Sequence, residues 1–362
     1  MRALITACLV MSLGLLALGC GGGENEDPEA STEPSLLGFN EDLGAAGTVE
    51  QPLAGGGVGN ELLAAAGASF VRVPINWSAV ERAPGASDYT LPDAIAEQLD
   101  RVGLRPLWVL TSAPCWASEL PCQAPQPSLA PSREAVGAYA SFAAAIAERY
   151  PDAVGIEVWN EPNLPNFWRP TPDPSLYRQL LAATAEAVHS SSASEVPVVM
   201  AGPSPTSAEQ AAEDPKKIPF VPFIEEVMAG PEAPDVDAIG IHPYSLLQRG
   251  PDAVRASIGL FELARQAATA VAPQTPVWVT EVGLTTAGQN RVSEAEQAAG
   301  LAELVATFAD EGVPVITVHR FFDQAEPLFP FEAGFGVVEA DRVSPKPAFC
   351  AAADALQLQC EA

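Results

Sequence analysis

Two segments of this 362-residue chain end an apolar run on a glutamate. In Gly155-Ile156-Glu157-Val158-Trp159-Asn160-Glu161-Pro162-Asn163 the run gives way to Asn160 and Glu161, and a proline follows. In Thr275-Pro276-Val277-Trp278-Val279-Thr280-Glu281-Val282-Gly283 it gives way to Glu281, with a glycine two residues later. A carboxyl at a strand tip, against Trp159 and near a second carboxylate, is disfavoured in its charged form and can pass a proton to a leaving oxygen. Its ionised partner can attack carbon. Two such groups facing each other across a bound sugar, about 5 to 5.5 Å apart, would define an enzyme that cleaves a glycosidic bond with retention. A lone glutamate is more often a cap or an ion-pair partner, so the chemistry requires an element order that puts both on one face.

The rest of the chain supplies that order. From residue 36, β-rich apolar runs alternate with longer Ala-rich stretches of helical period, as in βαβ units. Strands are expected at 36–40, 69–75, 105–111, 153–160, 196–202, 236–242, 275–281 and 314–320. Helices are expected near 58–66, 92–102, 133–149, 174–190, 217–229, 252–271, 293–311 and 346–356. Eight of each closes a (β/α)8 TIM barrel, an α/β fold of about 250 residues that tolerates longer loops. Segments after strands are long (76–91, 112–132, 203–216, 321–345) and those after helices short (67–68, 103–104, 312–313), so the long loops gather on the C-terminal face. A doubly wound sheet offers no reason for that asymmetry, and no Gly-x-Gly-x-x-Gly follows the first strand. Glu161 then ends strand four and Glu281 strand seven of one rim. No cofactor and no metal are expected, because His189, His242 and His319 are scattered and the cysteines lack metal-finger spacing.

With those positions set, Trp159-Asn160-Glu161-Pro162-Asn163 and Val279-Thr280-Glu281 resemble glycoside hydrolase clan A over roughly residues 36 to 350. Phe70-Val71-Arg72-Val73, Trp77-Ser78-Ala79-Val80-Glu81, Pro84-Gly85 and His242-Pro243-Tyr244 look like segments of family 39 and family 5 enzymes. The resemblance implies a retaining O-glycosidase acting on a polysaccharide or oligosaccharide. Glu161 would be acid/base and Glu281 nucleophile, and Asn160 would bond the sugar's 2-hydroxyl. Arg72 and Tyr244 would hold Glu281 ionised, and His242 would line the rim. Arg72 has a structural alternative as the partner of Glu157, and His242 as a core histidine. Val318-His319-Arg320-Phe321-Phe322 departs from the tryptophan frequent in the clan at that strand end. A non-catalytic, lipid-anchored glycan-binding protein is the competing function.

Aromatic residues at strand tips and in the following loops offer stacking surfaces for sugar faces, Trp77 and Trp168 foremost, with Trp116 and Phe167. Phe321 and Phe322 read as packing.

The ends of the chain bear on compartment. Arg2 precedes an almost wholly apolar stretch, 3–18, too short for a comfortable span, and Ala17-Leu18-Gly19-Cys20 resembles a bacterial lipoprotein signal. Residues 1–19 are expected to be the signal peptide, Cys20 the lipidated residue, 20–35 a flexible polar linker and 36–362 the barrel domain. Ordinary signal cleavage beside an incidental cysteine is the alternative. Cys115, Cys122, Cys350 and Cys360 remain, and their short spacings favour the pairs 115–122 and 350–360, in keeping with export. The net charge of −28, from 46 acidic and 18 basic residues, repels phosphate backbones and excludes nucleic acid as a partner. A carbohydrate substrate, a monomer, and membrane contact only through the lipid complete the expectations.

Overall fold

A computed structural model describes residues 34–41, 58–122, 128–244, 250–327 and 329–361. The signal stretch, Cys20 and the linker up to residue 33 lie outside the described residues. Eight parallel strands close a barrel in the order β1-β8-β7-β6-β5-β4-β3-β2. They are β1 (Leu36–Asn40), β2 (Phe70–Asn76), β3 (Arg105–Thr111), β4 (Gly155–Val158), β5 (Val198–Met200), β6 (Ala238–Ile241), β7 (Val277–Val282) and β8 (Val315–Val318). The helices between and after them are α1 (Val58–Ala65), α2 (Thr90–Asp100), α3 (Val136–Arg149), α4 (Pro174–His189), α5 (Phe220–Met228), α6 (Pro251–Val271), α7 (Glu294–Asp310) and α8 (Ala351–Ala355). This is the (β/α)8 architecture expected, with every strand within a few residues of its sequence position.

Local signals set the helix starts. Asp173 accepts from the Leu176 amide ahead of Pro174, and Ser293 and Glu296 form a reciprocal capping box. The expected loops after the strands contain short elements of their own. Trp77–Val80 is one helical turn, Glu81–Ala83 pairs antiparallel with Ala86–Ser87, and Ala208–Glu213 is a short capped helix. All three lie in segments that follow a strand, where long loops have room for structure of their own.

The barrel interior is apolar at one end and polar at the other. Phe70, Leu107, Val154, Val199, Ala238, Trp278 and Val315 form an apolar cluster separate from the main core. A Cβ on Gly38 would fall 2.3 Å from the Phe70 ring, so only glycine admits that ring. Strand side chains alternate, so the same inner face continues two or four residues on, toward the C-terminal end. There it carries Asn40, Arg72, Glu157, His242, Thr280 and His319, all buried. The apolar layer is packing, and the polar layer above it is the floor of the rim.

Two disulfides tie local loops, Cys115–Cys122 and Cys350–Cys360, in the pairing expected from spacing. Disulfides at these positions suit an exported protein. Among the described residues no helix is long and apolar enough to cross a membrane.

Candidate active site

Glu161 and Glu281 meet at the C-terminal mouth. One carboxylate oxygen from each and a ring nitrogen of His242 all lie within 4.8 Å of one another. Each glutamate reaches this place through an irregular backbone. β4 stops at Val158, two residues before the expected end, because Trp159 and Glu161 take positive φ values of 80° and 42°. Such conformations cost about 1 to 3 kcal/mol each in non-glycine residues, and surrounding packing must hold them. Trp159 is fully buried and its indole donates to the Phe167 carbonyl at 2.7 Å. Asn163 is clamped as well, donating to the Ser204 and Ile218 carbonyls and accepting from the Ser204 amide. On β7 the register against β8 shifts, Ile316 pairing with Val279 but Val318 with Val282. One extra residue on β7 lets Thr280 and Glu281 both turn inward, where strict alternation would send one of them outward.

Glu281 is gripped from several sides. Its Oε1 accepts from Arg72 Nη1 at 2.5 Å and from Asn40 Nδ2 at 3.5 Å, and its Oε2 accepts from the Tyr244 hydroxyl at 3.0 Å. Burial opposes its ionisation, but His242, Arg72 and the Tyr244 hydrogen bond outweigh burial and hold the carboxyl well below the usual carboxylate range. Burial first, then the charges of Glu281 and Glu161, push the Tyr244 phenol up, so its hydroxyl donates.

Arg72 is the hub. Its Nε bonds Glu157 Oε2 at 2.6 Å, while Nη1 reaches Glu281 and Asn40 Oδ1, and Nη2 reaches Asn160 Oδ1 at 2.9 Å. The two alternatives weighed for this arginine therefore coexist, since it is the ion-pair partner of Glu157 and a neighbour of Glu281. Because Asn160 spends its oxygen on Arg72, what its amide has left to offer is N–H donors.

His242 Nδ1 lies 3.2 Å from Glu161 Oε1 and 3.8 Å from Glu281 Oε2. Burial disfavours its charge, yet Glu281 and Glu161 prevail and raise its pKa. Its ring lies on Gly202, where an added Cβ would fall 2.3 Å from it, and Nε2 has no partner among the described residues. The trio of Glu161, His242 and Glu281 has enough donors for a cation. Arg72 and Tyr244 already occupy both oxygens of Glu281, however, and the carboxylates raise the pKa of His242, which opposes metal binding, so the donor set fits a proton network better than a metal.

Other expectations fare differently. Trp77 and Trp168, expected as sugar platforms, are 0% and 1% exposed and present no ring to the mouth. Trp168 packs edge-on against Trp159 and Tyr177, at 5.1 and 5.7 Å between ring centres. Trp77 packs on Trp116, Tyr139 and Phe142, and its indole donates to Glu81. The strand-tip aromatics fill the space between barrel and helices, the usual fate of large rings with many apolar neighbours. Phe321 and Phe322 are buried packing, as expected. Two residues of the mouth were not picked out as site residues. Asn40 ends β1, and His319 follows β8. His319 Nδ1 lies 2.9 Å from Asn40 Nδ2, its ring is parallel to that of Tyr244 at 5.9 Å, and its Nε2 lies 3.6 Å from Glu332 Oε2. Both sit where the strand-tip criterion that selected Glu161 would also have found them.

No family profile and no curated sequence matches this chain. Solved structures do share its fold. A family 39 glycoside hydrolase from Bacteroides cellulosilyticus WH2 superposes with a TM-score of 0.63 at 19% identity, covering 90% of this chain and 64% of that one. A monomeric β-xylosidase from Caulobacter crescentus CB15 gives 0.62 at 20% identity, covering 88% and 67%. A GH5_18 protein from Streptomyces cattleya, in complex with GlcNAc, gives 0.66 at 18% identity, covering 90% and 80%. The chain thus spans less than two thirds of the family 39 enzyme. Fold and site together define a (β/α)8 barrel with paired glutamates at its mouth, and the solved structures that share its fold are glycoside hydrolases.

Proposed function

We propose that this protein is a retaining O-glycoside hydrolase acting on a polysaccharide or oligosaccharide, with Glu161 as acid/base and Glu281 as nucleophile. One observation carries the reading. Carboxylate oxygens of the two residues approach within 4.8 Å on the C-terminal rim, near the spacing of about 5 to 5.5 Å that serves double displacement and short of the about 6.5 to 9.5 Å that inversion needs.

In the first step a Glu281 oxygen bonds the anomeric carbon. The glycosidic C–O bond breaks, and the Glu161 proton goes to the departing oxygen. In the second, Glu161 takes a proton from water as the water oxygen bonds the same carbon, and the bond to Glu281 breaks. The low pKa of Glu281 keeps the nucleophile ionised. Asn160, its amide oriented by Arg72, donates to the 2-hydroxyl as positive charge grows on the ring. His242, shared between the two carboxylates, steadies both of them as the proton moves. Tyr244 holds the second oxygen of Glu281.

An activated 2-deoxy-2-fluoroglycoside of the accepted sugar should add its mass to Glu281, and proton NMR of the first product should show the starting anomeric configuration. Label on another residue, or an inverted product, would end this assignment. Glu281→Ala should still fold, though less stably, and lose turnover by at least about 10⁴-fold.

The same proposal places the protein outside the cytoplasm, as a monomer lipid-anchored through Cys20. It rests on the apolar run 3–18, the Leu18-Gly19-Cys20 context and the two disulfides.

A further inference from the structure

The wall of the mouth opposite Glu161 is polar, and its proton positions follow from the hydrogen bonds. Arg72 has only donors, so the Asn40 atom it meets at 3.2 Å is the amide oxygen. The Asn40 N–H2 group is then the atom 2.9 Å from His319 Nδ1, and Nδ1 must accept. Flipping Asn40 would set donor against donor at Arg72, and a proton on Nδ1 would do the same at Asn40. The ring proton of His319 therefore sits on Nε2. That N–H faces Glu332 Oε2 at 3.6 Å, beyond a hydrogen bond.

Glu332 stands on the turn Pro330–Gly334, and its side chain is 27% exposed. Among the described residues no hydrogen bond satisfies its carboxylate. The turn itself is pinned from below. Thr285 donates to the Phe331 carbonyl at 2.6 Å, the Thr286 amide to that of Gly334, and buried Gln297 to those of Gly334 and Gly336. A donor and an acceptor thus stand side by side on a rigid base, 3.6 Å apart, so that a hydroxyl set beside both can accept from one and donate to the other.

We propose that His319 and Glu332 are a specificity-determining pair, seating one hydroxyl of a neutral sugar that accepts from His319 Nε2–H and donates to Glu332. The pair reads a hydroxyl by direction where a flat ring would read only a sugar face, because a site built to hydrogen-bond a hydroxyl rejects the analogue that lacks it. The inference rests on the glycosidase reading for the class of ligand.

The test couples a side chain to a substrate atom. Binding of D-xylose, D-mannose, D-glucose and N-acetyl-D-glucosamine, and of the monodeoxy forms of whichever binds, is measured by calorimetry for wild type, Glu332→Ala and Glu332→Gln. Hydrolysis of the matching α- and β-p-nitrophenyl glycosides is followed in the same preparations, and thermal melts check folding. Glu332→Ala should weaken the parent sugar about 10- to 100-fold, Glu332→Gln less, and a single monodeoxy sugar should bind wild type and both variants alike to within about threefold. If the loss is the same for every deoxy sugar, or absent, the pair is not a reader of hydroxyls even where hydrolysis is seen. Coupling without hydrolysis of any glycoside would retain the pair and remove the glycosidase reading. A wild type that neither binds nor hydrolyses any of these sugars would overturn both.

Discussion

Arg72 shows how a single buried cation organises this site. It lies between two buried carboxylates and orients two asparagine amides, so its loss leaves Glu157 and Glu281 as uncompensated buried charges. Arg72→Met should therefore destabilise the fold by about 3 to 5 kcal/mol, measured by urea denaturation, besides abolishing turnover. A variant of wild-type stability would mean that Arg72 is not the compensating charge. His242 offers a test by pH. Its folded pKa is raised above the unfolded value of about 6.5, so its contribution to stability is fully present below that pH and is lost as pH rises through the folded value. The stability gap between wild type and His242→Asn should shrink as pH climbs above about 6.5. A gap that stays flat or widens would contradict a His242 pKa raised by Glu281 and Glu161. Glu281 behaves in the opposite sense. With its pKa depressed, it contributes stability above the ordinary carboxylate range and loses it only as pH falls toward its lower folded value.

At the scale of elements, the aromatic ladder behind β4 and α4 decides between packing and recognition. Trp159, Trp168, Tyr177 and Phe223 form a continuous series of ring contacts from strand tip to helix. This ladder holds the irregular turn at Glu161 in place. Trp168→Ala opens a cavity in it and should cost about 3 to 5 kcal/mol, seen as a lower melting temperature, with KM of the folded fraction little changed. A raised KM at unchanged stability would make Trp168 a sugar platform after all. The order of strands and helices was legible from periodicity. The bulge on β7 was not, since an apolar run reads the same whether or not one residue is extra, and the run 275–281 gives no sign that both Thr280 and Glu281 face inward.

At the scale of the whole molecule, the disulfides each close a short loop, Cys115 to Cys122 and Cys350 to Cys360, separations of 7 and 10 residues. Loops of that length are worth about 2 to 3 kcal/mol each by chain entropy, so they secure loop ends and do not define the barrel. Compartment is a separate matter. Cys20→Ala should move the protein from the membrane fraction to the soluble fraction of cells that express the full chain, read by detergent phase partitioning. Unchanged partitioning would remove the lipid from the account. The excess of acidic residues, 46 against 18 basic, leaves a surface that neutral glycans can approach and anionic polymers avoid.

The amino-acid sequence by itself determined the eight-fold alternation, the long-loop face, the placing of two glutamates at or just past the C-terminal ends of strands four and seven, and the cysteine pairs. Each is a local pattern, set by a period of two or 3.6 residues or by short spacing along the chain. Tertiary structure decided what depends on closing the barrel. It made Arg72 partner to two carboxylates and two asparagines, and brought Asn40 from the first strand and His319 from beyond the last to within 2.9 Å, across 279 residues of chain. It also turned Trp77 and Trp168 away from the mouth and into the core. Side-chain direction at an irregular strand end follows from which neighbours close around it, and those neighbours come from the far ends of the sequence.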